Sequence, residues 1–246
     1  MNSRTKKIIK SSFTYVILGL SGIIILPIAL VISYISGENR QDSRLYFFLT
    51  SIFSRLCIYS TFISYSIKGT DHLPLYPDNP SIILINHSSI MDIPLVEIIL
   101  KSYPRIWISN DYSRCPLIGP LLKRMHIIIN RRKPLEALRK AIALTKNKKR
   151  HILIFPEGTR HNDGKIHNFY AGFALLAERL QRPIIPIAIH GLNKICPKKQ
   201  YLIDSSACTV KISIGKPIHY DPTTPRKDFI DKVQHWFVEE INALKG

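Results

Sequence analysis

Between Lys10 and Glu38 no residue carries a formal charge, and the centre of this stretch reads VILGLSGIIILPIALVI. Wound as a helix at about 1.5 Å per residue, such a run is long enough to cross the hydrocarbon of a bilayer. It is too long for the apolar part of a signal peptide, and no small-x-small cleavage pattern follows it, so the segment is expected to be retained. Pro27 is expected to kink it. A polar link holding Glu38, Arg40, Asp42 and Arg44 leads into a second apolar run, Leu45 to Ile67. Two antiparallel helices are therefore predicted, forming a membrane hairpin. Arg55 lies in the middle of the second run, where a charge in lipid costs about 3 kcal/mol. That helix is read as shallow or interfacial, with full spanning as the alternative.

From residue 80 onward the pattern changes to short β-rich runs alternating with helical stretches, as in an α/β domain. Strands are predicted at Ser81 to Ile85, Arg105 to Ile108, Ile127 to Ile129, Ile152 to Phe155, Ile184 to Ile189 and Thr209 to Ile214. Several are nearly continuous in Ile and Leu, which is expected of strands buried on both faces. Helices are predicted at Pro134 to Thr145 and Gly172 to Leu180. A last helix begins near TTPRKD, where Thr223 or Thr224 can cap and Pro225 suits the first turn. Along it Phe229, Val233, Trp236, Phe237, Ile241 and Leu244 recur at helical spacing and are assigned to the core. The predicted architecture is α/β, with a mixed, largely parallel sheet flanked by helices and preceded by the hairpin. Its division is a basic tail and two-helix anchor at 1–67 and a catalytic-type domain at 68–246.

Charge narrows the partners. Lys and Arg total 35 against 17 Asp and Glu, a formal charge of +18, so an anionic partner is expected: nucleic acid, anionic lipid or a phosphorylated substrate. Arg4, Lys6, Lys7 and Lys10 open the chain and predict a cytoplasmic start by the positive-inside rule. A hairpin then returns the domain to the cytoplasm, whereas a single crossing would place it on the other side. Lys146, Lys148, Lys149 and Arg150 are read as a basic surface for an acidic carrier or anionic lipid. The four cysteines include no C-x-x-C pair, so neither zinc nor a disulfide framework is signalled, and a reducing compartment is implied.

Three strand ends carry candidate chemistry. Asn86-His87-Ser88-Ser89-Ile90-Met91-Asp92 follows the run SIILI, and a turn between His87 and Asp92 would let the carboxylate hold one imidazole nitrogen while the other faces a substrate. Phe155-Pro156-Glu157-Gly158-Thr159-Arg160 follows HILI. There Gly158 permits a tight turn, Arg160 offers a planar fork for phosphate or carboxylate oxygens, and Glu157 can orient that fork. Ile127 to Ile129 ends in Asn130, Arg131 and Arg132, with Lys123 and Arg124 upstream. In a parallel sheet these ends converge, setting a base beside an anion site. A second His–acid spacing, His235 to Glu240 on the last helix, is read as surface or packing.

The blocks N-H-S-S-I-M-D and F-P-E-G-T-R resemble the first and third signatures of the glycerophospholipid acyltransferase family, specifically the PlsC-like 1-acylglycerol-3-phosphate acyltransferases. The stretch I-I-N-R ending at Arg131 resembles the second block and I-I-P-I-A-I at Ile184 to Ile189 the fourth, in the family's order. His126, Asn130 and Tyr170 depart from the pattern, standing where members often have Gly, Asp and Lys. The resemblance implies acyl transfer from a thioester, on acyl carrier protein or acyl-CoA, to the sn-2 hydroxyl of lysophosphatidic acid, giving phosphatidic acid at a phospholipid membrane. His87 and Asp92 would be catalytic, and Arg131, Glu157, Gly158, Thr159 and Arg160 would bind substrate. No metal, cofactor or covalent acyl-enzyme is implied. The expected location is a bacterial-type inner membrane with the domain facing the cytoplasm.

Other readings have weaker support. Another lysolipid could be the acceptor. A serine hydrolase built on Ser88 or Ser89 lacks a G-x-S-x-G elbow. A P-loop is excluded because GTRHNDGK has the wrong glycine spacing and Ile166 where Ser or Thr is needed. A non-catalytic membrane protein binding nucleic acid or anionic lipid through charge alone lacks any nucleic-acid signature, so no nucleic-acid partner is expected.

Overall fold

The computed structural model describes residues 2–36, 44–73, 80–100, 104–116, 118–130, 133–145 and 150–246. Two N-terminal helices, α1 (Ser3–Ile35) and α2 (Arg44–Ser60), pack along each other. The first continues through Pro27 and is the one helix among the described residues long and apolar enough to cross a membrane.

The strands are β1 (Tyr65–Lys68), β2 (Ile82–Ile85), β3 (Arg105–Ser109), β4 (Ile127–Ile129), β5 (Ile152–Ile154), β6 (Ile184–His190) and β7 (Val210–Ile214). They form one seven-stranded sheet in the order β1-β7-β6-β2-β5-β3-β4. From β6 to β4 every pairing is parallel, while β7 runs antiparallel to β6 and β1 parallel to β7. The expected mixed, largely parallel sheet is therefore present.

The first strand is a correction to the expected helical hairpin. The second apolar run does not stay helical to Ile67: it stops at Ser60, Phe62 takes a left-handed φ of 56°, and Tyr65–Lys68 joins the sheet beside β7. The local reason is period. YSIK alternates between half-buried and exposed positions, a strand pattern that the run's overall apolarity conceals.

Helices cover both faces. On one lie α2, α3 (Asp92–Leu100) and the short α7 (Leu192–Ile195), packed on Ile83 and Ile85; on the other lie α5 (Pro134–Thr145), α6 (Gly172–Leu180) and α8 (Arg226–Lys245), packed on Ile82 and Leu84. Those four β2 residues are completely buried, each contributing about 1.5–3 kcal/mol. Burial on both faces is thus the cause of the unbroken apolar run. Phe229, Val233, Phe237, Ile241 and Leu244 of α8 are core residues as expected. Its cap is not: Pro225 occupies that position, and the Thr223 hydroxyl donates to Asp221.

The long first helix is fastened to the sheet domain at both ends. Near its start Lys7 pairs with Asp204 at 2.6 Å, Ser11 Oγ accepts from the Ile203 amide at 2.8 Å, and Tyr15 donates to the Tyr201 carbonyl at 2.7 Å. Near its finish Arg124 of α4 (Gly119–Met125) donates to the Ser33 hydroxyl and carbonyl, and its guanidinium lies 3.6 Å from the Tyr34 ring centre. Arg124 is thus a tie to this helix. The opposite flank exposes Ile9, Val16, Leu20, Ile23, Ile24, Val31 and Ile35.

Because β2 to β6 are parallel, their N-terminal ends share one side of the sheet. Arg105, His126, Arg150, His151 and Arg182 all sit there, and all are buried. This corrects the outer basic surface expected around Arg150, which is only 4% exposed. Lys146, Lys148 and Lys149 lie outside the described residues.

Candidate active site

At the other end of the sheet, β2 and β5 are parallel neighbours, so the segments leaving their C-terminal ends lie side by side. The chain turns after β2 and enters α3 at Asp92. That turn brings His87 and Asp92 together: Nδ1 of the imidazole is 2.9 Å from Oδ2 of the carboxylate. Asp92 is fully buried, and its carboxylate also accepts from the amides of Ser88 and Ser89, each at 2.8 Å, and from the Ser88 hydroxyl at 3.2 Å. Its place at a helix start adds a favourable dipole.

This network fixes the imidazole. Only a protonated Nδ1 can donate to the carboxylate, so neutral His87 carries its lone pair on Nε2. Nε2 has no hydrogen-bond partner among the described residues, and the side chain remains 16% exposed. Phe155, at the end of β5, stacks on the ring with centroids 3.9 Å apart. Asn86 anchors the strand end, its side-chain amide exchanging two hydrogen bonds with the Ile189 backbone at 2.8 and 2.9 Å. The serines have no nucleophilic role in this arrangement: Ser88 donates to Asp92, and Ser89 Oγ donates to the Cys196 carbonyl.

Glu157 does something other than orient Arg160. Its Oε1 accepts from the His87 amide at 3.0 Å and its Oε2 from the His167 amide at 3.2 Å, so one buried carboxyl clamps three loop segments. Burial pushes its pKa up to about 7, against the opposing pull of the two amides. Gly158 has φ +70°, and a Cβ there would come within 2.9 Å of the Tyr170 ring, which lies over the turn. Tyr170 thus fills space beside the turn as well as departing from the usual Lys.

Thr159 Oγ1 accepts from Lys198 Nζ at 3.1 Å. Arg160 follows, and no acidic side chain pairs with it among the described residues. Arg131 lies outside the described residues. His126 is not part of the site: it is buried at the opposite sheet end, accepting from the Ile106 amide, with burial holding its pKa down to about 3. The His235 spacing is a surface feature as expected, although the ring pairs with Glu239 and Glu240 instead pairs with Lys68.

A narrow hollow lies beside His87, lined by Asn86, His87, Ser88, Glu157, His161 and Lys165 among others. A broader depression of about 550 Å³, between Phe169 and Gln234 beside α8, holds neither His87 nor Asp92. Three contributors escaped the sequence reading. His161 donates its amide to the His87 carbonyl at 3.1 Å and stacks on His167, while Asn162 and Lys198 bond to each other's segments. N-D-G at Asn162 reads only as a turn and P-K-K-Q at Lys198 only as a solvated loop, so no local signal marked them.

A buried carboxylate orienting an imidazole at the end of a central strand, with a cationic turn on the next strand, is equipment for taking a proton from a hydroxyl beside an anion. The Acyltransferase family model matches residues 65–190, and the chain belongs to that family. It is 28% identical over 202 residues to a chloroplastic 1-acyl-sn-glycerol-3-phosphate acyltransferase of Brassica napus, covering 78% of this chain and 57% of that protein. A chloroplastic enzyme of the same name from Arabidopsis thaliana is 28% identical over 72% of this chain and 49% of its own length. The human alpha form is 26% identical over 70% and 62% respectively. The chain thus spans about half the length of these two plant relatives. In fold it resembles crystalline PlsC, the 1-acyl-sn-glycerophosphate acyltransferase of Thermotoga maritima, with a TM-score of 0.82 and 20% identity over 99% of this chain and 98% of that one.

Proposed function

We propose that this chain transfers a fatty acyl group from an acyl thioester, on acyl carrier protein or coenzyme A, to the sn-2 hydroxyl of 1-acylglycerol-3-phosphate, giving phosphatidic acid. The observation that carries the reading is the 2.9 Å His87–Asp92 pair, open at Nε2, on the strand next to the Arg160 turn. Family membership and the names of the relatives support the substrate class.

In this mechanism Nε2 of His87 takes the hydroxyl proton as the acceptor oxygen attacks the thioester carbonyl. Asp92 steadies the imidazolium that forms. The tetrahedral intermediate then expels the thiolate, the C–S bond breaks, and the imidazolium returns its proton to sulfur. Arg160, with Arg131, holds the acceptor's phosphate. Glu157, Gly158 and Thr159 shape the pocket, Glu157 by tying the His87 backbone to the β5 turn.

The N-terminal helices serve as the membrane anchor. A helix crossing the bilayer along its normal would put its ends on opposite sides, yet both ends of α1 bond to one domain. The proposal is therefore an anchor lying along one leaflet, with its apolar flank in lipid and the active site at the headgroup level where the acceptor resides. A cytoplasmic face of a bacterial-type inner membrane agrees with the basic start of the chain.

The test is turnover by the purified chain in phospholipid micelles. Each labelled donor is offered with a panel of lysolipids, and products are identified by mass spectrometry. Phosphatidic acid from 1-acylglycerol-3-phosphate is expected. Absence of transfer to any lysolipid would end the proposal.

A further inference from the structure

The turn after β5 and the loop after α7 are stitched together by one short segment. Arg160 is followed by His161, whose amide reaches the His87 carbonyl at 3.1 Å. Next comes Asn162, whose side chain accepts from the Lys198 amide at 2.8 Å and donates to the Lys198 carbonyl at 3.1 Å. Asn193 secures the same segment from behind, donating to the Asn162 carbonyl. Lys199 closes the loop in a left-handed conformation, φ 65°, which a lysine adopts only when its surroundings impose it.

So fixed, Lys198 reaches back to the turn. Its Nζ donates to Thr159 Oγ1 at 3.1 Å and to the Arg160 carbonyl at 3.2 Å. Both acceptors are neutral, and an ammonium has three N–H groups, so one donor and the whole charge remain unanswered by them. Among the described residues no carboxylate pairs with either Lys198 or Arg160. Lys198 thus adds a positive charge to the turn that carries Arg160, and like charges at one turn favour a bound anion. Among the described residues of this segment the two carboxyls are already taken, Glu157 by two backbone amides and Asp163 by His167.

We infer that Lys198 supplies, beside Arg160, a second cation of the phosphate site, and that the group it takes is the phosphomonoester of the acceptor. This rests on the acyl-transfer reading above and adds a substrate-binding residue from outside the four sequence blocks. The phosphopantetheine of an acyl donor also carries a phosphate, so the test separates acceptor from donor.

Lys198→Gln keeps a donor for Thr159 and the Arg160 carbonyl while removing the charge, and Lys198→Arg keeps the charge. Because charge-assisted hydrogen bonds outweigh neutral ones, the Gln variant is expected to raise KM for 1-acylglycerol-3-phosphate about 10- to 100-fold. KM for the donor and the melting temperature should stay put, and Lys198→Arg should recover most of the loss. A rise confined to the donor would overturn the assignment. So would no change, or an equal rise in both constants with a lower melting temperature, since either leaves Lys198 as a brace. A binding arm needs no turnover: stabilisation of wild type by sn-glycerol 3-phosphate should be lost in Lys198→Gln. If wild type transfers to no lysolipid but that loss is seen, the acyl-transfer reading fails and the phosphate site stands; equal stabilisation of both proteins removes the site.

Discussion

The two ends of the parallel strands are both basic, and they use their charge in opposite ways. At the N-terminal ends Arg182 donates to the carbonyls of Arg150 and Thr145, at 3.0 and 2.6 Å, while His151 and His126 accept from the amides of Ser81 and Ile106. Those cations and rings complete backbone hydrogen bonding where the chain enters the sheet, a place where unsatisfied polar groups are costly. Beyond the C-terminal ends the ring and cations are not so used: among the described residues His87 Nε2 has no hydrogen-bond partner, and neither Arg160 nor Lys198 has an acid partner. A net charge of +18 therefore says little until each cation is assigned to one end or the other. Arg182 completes backbone hydrogen bonding, whereas Arg160 and Lys198 have no acid partner among the described residues.

The contrast is broken most directly at His87. Its replacement by Ala should lower kcat on the order of 10²- to 10⁴-fold with little change in melting temperature, because the ring is a base in this reading and carries no packing load comparable to the core. Steady-state kinetics beside a thermal melt checks both halves; a folded variant with wild-type turnover would refute the mechanism. Arg160→Ala should raise the acceptor's KM about 10- to 100-fold, measured against an unchanged donor KM.

At the opposite end the expected signs reverse. Arg182→Ala should destabilise by about 1–3 kcal/mol by removing its hydrogen bonds to the Arg150 and Thr145 carbonyls, with both KM values intact. Urea denaturation at neutral pH reads it. A shift in KM without a loss of stability would show that the two ends are not separate.

The pH dependence too has opposite signs at the two ends. Burial first, then Arg105 and Arg150, holds His126 down to about 3, and burial with Arg182 holds His151 down to about 4, from an ordinary 6.5. The unfolded chain then binds protons the fold refuses, so the stability from these neutral rings is present above pH 6.5 and is lost as pH falls below it. Glu157 is raised to about 7 from an ordinary 4.5, chiefly by burial. Its contribution is therefore full below pH 4.5 and is lost as pH rises through 7. His126→Asn, which keeps an acceptor for the Ile106 amide, should flatten the acid side of a stability–pH curve, and Glu157→Gln should flatten the loss of stability as pH rises through 7. Parallel curves for wild type and variant would contradict the assignment.

Much of this was legible along the chain. Strands buried on both faces show as unbroken Ile and Leu, a buried helix stripe shows at Phe229, Val233 and Phe237, and a turn joining His87 to Asp92 is written in five positions of local sequence. Periodicity and short spacing are properties of neighbouring residues, so sequence order alone determines them. That is also why the α/β class and the His87–Asp92 pair are legible from the sequence alone.

Contacts between distant segments were not accessible. Tyr65–Lys68 joins the sheet because β7, far along the chain, offers it an edge. Glu157 clamps His87, and Lys198 meets Thr159, across loops that only the strand order brings together. Arg150 is buried because parallel strands gather their entrances on one side, and α1 lies along the domain because Asp204 and Arg124 hold its two ends. Each of these depends on which strand pairs with which, and pairing is settled by the burial of the whole sheet at once, information that no single stretch of residues contains.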